Sequence, residues 1–268
     1  MIRKQTNLPL LILNIIGFLG TVIVNGLAST LPLNNKTTAE LSDQYPNLFV
    51  PTGLTFSIWG IIYILLVIFV VYHVVATIRK DTGGISVSRK IGLLFFVSSV
   101  LNMAWIFAWH YEMVPLSVII MILLLGSLIA IYLRLGIGKS AASRKEQYLA
   151  HLPFSVYLGW ITIAMIANIT ALLVDINWNR FGLSEQFWAV AVIAISIAIA
   201  MIVLVTRRDI YYCLVVDWAL LGILLKRLSA SPAAQSVIIT TIIGLALVTL
   251  GIVIQIARRK VYMSRAPG

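Results

Sequence analysis

Long apolar runs separated by short polar stretches set the rhythm of this chain. The runs begin near Leu8, Pro51, Ile91, Pro115, His151, Phe187, Ile210 and Gln235. They end near Leu31, Ile78, His110, Arg134, Val174, Val205, Leu225 and Ala257. Most approach or exceed the ~20 apolar residues that cross a hydrocarbon core. The run from Ile210 is short, but flanking side chains that snorkel, or local thinning, would let it span. The two-residue alternation of a membrane β-barrel is missing. The pattern therefore predicts an all-α, polytopic membrane helix bundle of about eight transmembrane helices. Asn14 and Asn25 interrupt the first run and should face protein rather than lipid. Gly17 and Gly20 permit close helix approach, and Ala194 with Ala198 reads as a small-residue packing pair. The polar segments are 32–50, the basic RKDTGGISVSRK at 79–90, 135–150, and DINWNRFGLSEQ at 175–186.

Composition agrees with this picture. Of 268 residues, 60% are hydrophobic and 11% charged, and the mean hydropathy is +1.01. A net charge of +11 would suggest nucleic acid in a soluble protein. In a membrane protein it marks the cytoplasmic side. Eight crossings with the N-terminus inside place all of the 20 Lys and Arg residues on that side except Lys36, Arg180, Lys226 and Arg227. The expectation is a multi-pass protein of the cell (plasma or inner) membrane with both termini cytoplasmic and no nucleic-acid partner. If the Ile210 run were re-entrant, Arg258, Arg259 and Lys260 would fall outside, against the rule. Arg3 and Lys4 resemble the start of a signal peptide. The apolar run behind them is too long and lacks a cleavage site, so it reads as a retained first helix.

Catalytic signals are missing. The lone Cys213 excludes an intrachain disulfide. His73, His110 and His151 are scattered without metal-ligand spacing. No phosphate loop, nucleotide fingerprint or triad spacing occurs, so neither an enzyme nor a certain cofactor is expected. Three faces remain of interest. Pro51 suits a first helical turn. Beyond it, Trp59 and Tyr63 stand four residues apart on one face, either packing between helices or walling a pocket for a flat apolar ligand. Asn102, Trp105 and Trp109 share a second face, read as an interhelical hydrogen bond with a belt tryptophan, or as pocket lining. Asp217, inside the Ile210 run, is either a hydrogen-bonded acid joining helices or a proton-coupling or substrate contact.

Three motifs now fall into one order. Pro51, Phe56, Trp59, Ile62 and Tyr63 form the first, and Leu101, Asn102 and Trp105 the second. Trp160, Ala164 and Asn168, spaced four and eight apart, form the third. Together they resemble the TspO/MBR family, the tryptophan-rich sensory proteins related to the translocator protein or peripheral benzodiazepine receptor. Three departures stand out. Leu152 and Pro153 lie about one turn too far upstream. The segment 32–50 lacks the family's tryptophan-rich loop, and 175–180 lacks the tyrosine of the sterol motif. The resemblance covers helices 1 to 5. It implies a TspO-like five-helix core over 1–178 and a three-helix extension over 179–268. It also implies a pocket for a tetrapyrrole or similar flat hydrophobic ligand, used for sensing, binding or transport. Trp59, Tyr63, Asn102, Trp105, Trp160, Ala164 and Asn168 would be ligand-binding, with 32–50 as a lid. A proton-coupled transporter using Asp217 and a membrane enzyme acting on the pocket ligand are the alternatives. The partners would be the lipid bilayer and the hydrophobic ligand, and a homodimer is compatible with such a bundle.

Overall fold

A computed structural model describes residues 8–30 and 33–265. Arg3, Lys4, Leu31 and Pro32 lie outside the described residues, as do the side chains of Arg259 and Lys260. The helices are α1 (Leu8–Thr30), α2 (Thr38–Asp43), α3 (Ile58–Ile78), α4 (Thr82–Ile91), α5 (Leu94–His110) and α6 (Val114–Leu135). They continue with α7 (Arg144–Glu146), α8 (Leu152–Asp175), α9 (Glu185–Arg207), α10 (Ile210–Leu228) and α11 (Gln235–Arg265). A π-helical turn, Gln147–His151, joins α7 to α8. No strand occurs among the described residues, and the protein is an all-α polytopic bundle.

Each expected apolar run is helical, but the runs differ in how well they suit a membrane. Among the described residues, six segments are long and apolar enough to cross it, and the bent pair α4–α5, turning by 53°, would make a seventh. The eighth candidate, α10, has 19 residues but carries Asp217, Lys226 and Arg227. Large apolar side chains face outward around the bundle, Ile64, Ile202 and Leu250 among them, as lipid contact requires.

Local chemistry explains two departures from the sequence reading. The segment 79–90, expected as a loop, contains α4. The Asp81 carboxylate caps it by accepting from Gly83 N at 3.0 Å, and Ile85, Val87 and Ile91 bury its inner face. The Pro51 helix starts later than expected, with Gly53–Ser57 forming a 3-10 turn before α3. Thr52 N is engaged outside the helix, donating to the Gly222 carbonyl at 3.2 Å.

Packing runs as a chain of neighbours. α5 lies against α1 and α6, α6 against α8, α8 against α10, and α10 against α9 and α11. Gly17 and Gly20 do allow close approach. A methyl on Gly17 would sit 2.8 Å from Phe96 Cδ2, and one on Gly20 would sit 2.9 Å from Met103 Sδ. Ala194 and Ala198, by contrast, face outward, and α9 packs through Ala189, Ile193, Ser196, Ala200 and Leu204. Asp209 is a buried junction. One oxygen caps α10 through Tyr211 N (3.1 Å) and Tyr212 N (3.2 Å). The other accepts from Tyr132 on α6 (2.9 Å) and Ser155 on α8 (2.6 Å). Such a fully bonded carboxylate joins three helices without an orphaned acceptor.

A candidate aromatic binding cleft

The spacing of Trp59 and Tyr63 places their rings in a stack on α3, with centroids 5.6 Å apart and planes at 14°. Trp59 also stacks on Trp105 of α5 at 6.2 Å, and Trp105 on Trp109 at 6.0 Å. From α8, Trp160 meets Trp59 edge-on at 6.2 Å and Phe56 at 5.9 Å. Offset and edge contacts of this kind are the favoured geometries of aromatic pairs.

These rings surround a cleft. Trp59, Trp105, Trp160, Ala164 and Asn168 line it together, with Phe56, Trp109, Ile163, Ala167, Pro51, Thr38 and Ser42. Two of the expected residues sit behind this wall. Tyr63 backs Trp59 from one turn further along α3. Asn102 is fully buried. Its amide donates to the Tyr157 hydroxyl at 3.1 Å, and its carbonyl accepts from Asn25 at 2.7 Å. Asn25 thus faces protein as expected. Asn168 lines the cleft and braces it, accepting from Trp105 Nε1 at 2.9 Å and donating to Ser117 Oγ at 2.8 Å.

Of the additional lining residues, Ile163 and Ala167 could have been read from α8 periodicity, three and seven residues after Trp160. Thr38 and Ser42 carry no such signal. They belong to α2, which forms one side of the cleft. This helix starts with a capping box, in which Glu40 N donates to Thr37 Oγ1 and Thr37 N donates to Glu40 Oε2 at 2.7 Å. The Thr37 backbone N–H, and after it the Thr37 hydroxyl donating to Oε2 at 2.9 Å, hold the Glu40 carboxyl below its ordinary value. The segment is fastened to the bundle by Trp109 Nε1 donating to the Thr38 carbonyl (3.4 Å) and by the Lys36–Glu112 ion pair (2.7 Å). A second ion pair, Lys226–Asp43, ties it to α10.

The cleft holds about 40 Å³, room for about three waters at the ~10–15 Å³ that each requires. No titratable side chain lines it. The buried indole nitrogen of Trp160 has no hydrogen-bond partner. Asp217 lies elsewhere, on α10, where Oδ2 accepts from Thr249 at 2.9 Å and the buried Oδ1 has no partner. Among the described residues no three His, Cys, Asp or Glu side chains could hold a metal.

A family model described as "TSPO-like protein" matches residues 11–254. The chain belongs to the TSPO-like family. The match bears out the resemblance read from the three motifs and runs beyond Trp178, through α9 and α10 and into α11. Comparison with curated proteins and with solved structures gives no match. The TSPO-like assignment and the apolar helices together establish an integral, multi-pass membrane protein.

Proposed function

We propose that this TSPO-like protein binds a flat hydrophobic molecule, tetrapyrrole-like in shape, in the aromatic cleft, as a sensor, carrier or transporter rather than as an enzyme. The observation that carries the reading is the convergence of Trp59, Trp105 and Trp160 from three helices on one cleft, beside Ala164. Stacked indole faces suit a planar apolar ligand, and the unpartnered Trp160 N–H offers it a hydrogen bond. A lining without titratable groups supports binding over acid–base chemistry. At about 40 Å³ the cleft is well below the ~300–1,000 Å³ of a ligand site. Binding therefore requires the cleft to widen, against the Lys36–Glu112 and Lys226–Asp43 pairs, the Trp109–Thr38 hydrogen bond and the buried Leu41 that hold α2 in place.

The test is tryptophan quenching of the purified protein by protoporphyrin, set against a sterol and an unrelated amphiphile. Saturable quenching by the porphyrin alone supports the reading, and its absence refutes it. We further propose that both termini are cytoplasmic, which the basic-residue bias supports. A cysteine placed at Asn34 should then react with an impermeant reagent in intact cells, and protection there would reverse the orientation.

A proton-coupled transporter is a second reading, favoured by the unpartnered Oδ1 of Asp217. Asp217→Asn would abolish pH-driven flux in proteoliposomes, whereas unchanged flux would remove Asp217 from any coupling.

A further inference from the structure

A second cavity, of about 320 Å³, lies where α8 ends and α9 begins. It shares no lining residue with the aromatic cleft, and its volume falls within the ~300–1,000 Å³ of small-molecule sites. Its composition is divided. Leu173, Val174 and Val192 give apolar lining, Trp178 and Trp188 give aromatic walls, and Arg180 and Glu185 bring one charge of each sign. The two tryptophans meet edge-to-face at 4.9 Å. Trp188 Nε1 donates to the Arg180 carbonyl at 2.9 Å, which fixes the loop against α9 while leaving the guanidinium uninvolved. Among the described residues neither Arg180 nor Glu185 forms an ion pair. The buried Arg227 attracts Glu185 without pairing with it.

We propose that this cavity binds a zwitterionic amphiphile. The tail would lie along Leu173, Val174 and Val192. The anionic group would meet Arg180, and the cationic group would sit between Glu185 and the tryptophan faces. A ligand head of single charge meets only one of the two side chains, whereas a zwitterion meets both. Indole faces attract quaternary and primary ammonium groups. The cavity lies at the ends of two helices long and apolar enough to span a membrane, and span ends are where tryptophans concentrate in membrane proteins. The site does not depend on the porphyrin reading, because the two cavities have no residue in common.

The experiment titrates the full chain, in maltoside micelles, with three probes followed calorimetrically. They are dihexanoylphosphatidylcholine below its own micelle concentration, dihexanoylphosphatidylglycerol, and glycerophosphocholine, which has the head but no tail. The zwitterionic lipid should bind saturably, the anionic lipid more weakly and the tailless head not measurably. Arg180→Gln should weaken phosphatidylcholine binding about tenfold or more, the scale of a lost hydrogen bond to a charged group. Glu185→Gln should erase the preference for phosphatidylcholine over phosphatidylglycerol. Both changes lie at a helix junction, and unchanged melting midpoints will show that each variant is folded. If a variant melts early, the wild-type ranking of the three probes decides. The proposal is overturned if phosphatidylcholine does not bind, if phosphatidylglycerol binds as tightly, or if glycerophosphocholine matches the lipid. The last result would assign the cavity to a soluble zwitterion.

Discussion

Trp105 on α5 donates its indole N–H to the Asn168 carbonyl on α8 at 2.9 Å, and Asn168 passes its own amide to Ser117 on α6 at 2.8 Å. One buried asparagine therefore sets the spacing of three helices and the tilt of a cleft-lining tryptophan. Asn168→Leu would leave the Trp105 N–H without its acceptor. Hydrogen bonds between membrane helices are worth ~0.6–1.7 kcal/mol, so the variant should lose about 1–2 kcal/mol of stability. Reversible unfolding in mixed micelles measures this, and a loss below the error of that assay would show that the bond does not brace the bundle.

Gly222 on α10 is the contact point between the C-terminal helices and the segment leading into α3. Its carbonyl accepts from Thr52 N at 3.2 Å, and Trp218 Nε1 on the same helix reaches the Thr55 carbonyl at 2.9 Å. A Cβ at Gly222 would overlap Thr55 Oγ1 and approach Pro51 Cβ to 3.0 Å. Gly222→Ala should therefore destabilise the fold by ~1–3 kcal/mol, the usual range for overpacking. Adding Thr55→Ala should recover part of that loss, a coupling that a double-mutant cycle reads directly. Strict additivity of the two changes would mean that α10 does not rest on Thr55.

Much of this architecture could be read from the chain. Apolar runs located the long helices, and the four-residue spacing of Trp59 and Tyr63 put their rings on one face, where they stack. What escaped has physical causes. α4 reads as a loop because Thr82, Gly83, Gly84 and two serines dilute its helical period, and only the Asp81 cap and the buried Ile85, Val87 and Ile91 mark it. α10 is a weak span on sequence because Asp217 and its terminal Lys226 and Arg227 offset its apolar residues. In the cleft, the aromatic residues were legible from periodicity and motif. For Asn102 an interhelical hydrogen bond was one of the two readings, but its partners Asn25 and Tyr157 were not legible, because they come from distant helices and no local pattern encodes such a meeting. Thr38 and Ser42 were invisible for the same reason.

The Glu40 carboxylate holds the first turn of α2 and lies outside the membrane-spanning segments. Its folded-state pKa is lowered from 4.5, chiefly by the Thr37 backbone N–H. A depressed carboxylate stabilises the folded form at pH values above its ordinary value, and that contribution disappears as the pH falls through the folded value. Amide protection of α2 should thus be constant near neutrality and drop in acid. Glu40→Gln should show the weakened protection already at neutral pH and lose the acid transition. Hydrogen exchange across 38–43 follows both, and an acid transition retained in Glu40→Gln would assign the effect to another group.

If Trp59, Trp105, Trp160 and Ala164 surround one ligand, the protoporphyrin dissociation constants of single variants report it. Trp59→Leu and Trp105→Leu should each weaken binding by about three- to tenfold, because a lost aromatic contact costs ~0.5–1.5 kcal/mol beyond its area. Ala164→Phe should abolish binding by filling the cleft. Ala194→Phe, at an outward-facing position of α9, should bind as the wild type does, and the melting midpoint of each variant checks its fold. If folded Ala164→Phe and Trp59→Leu bind protoporphyrin with wild-type affinity, the aromatic cleft is packing alone and the proposed site is wrong.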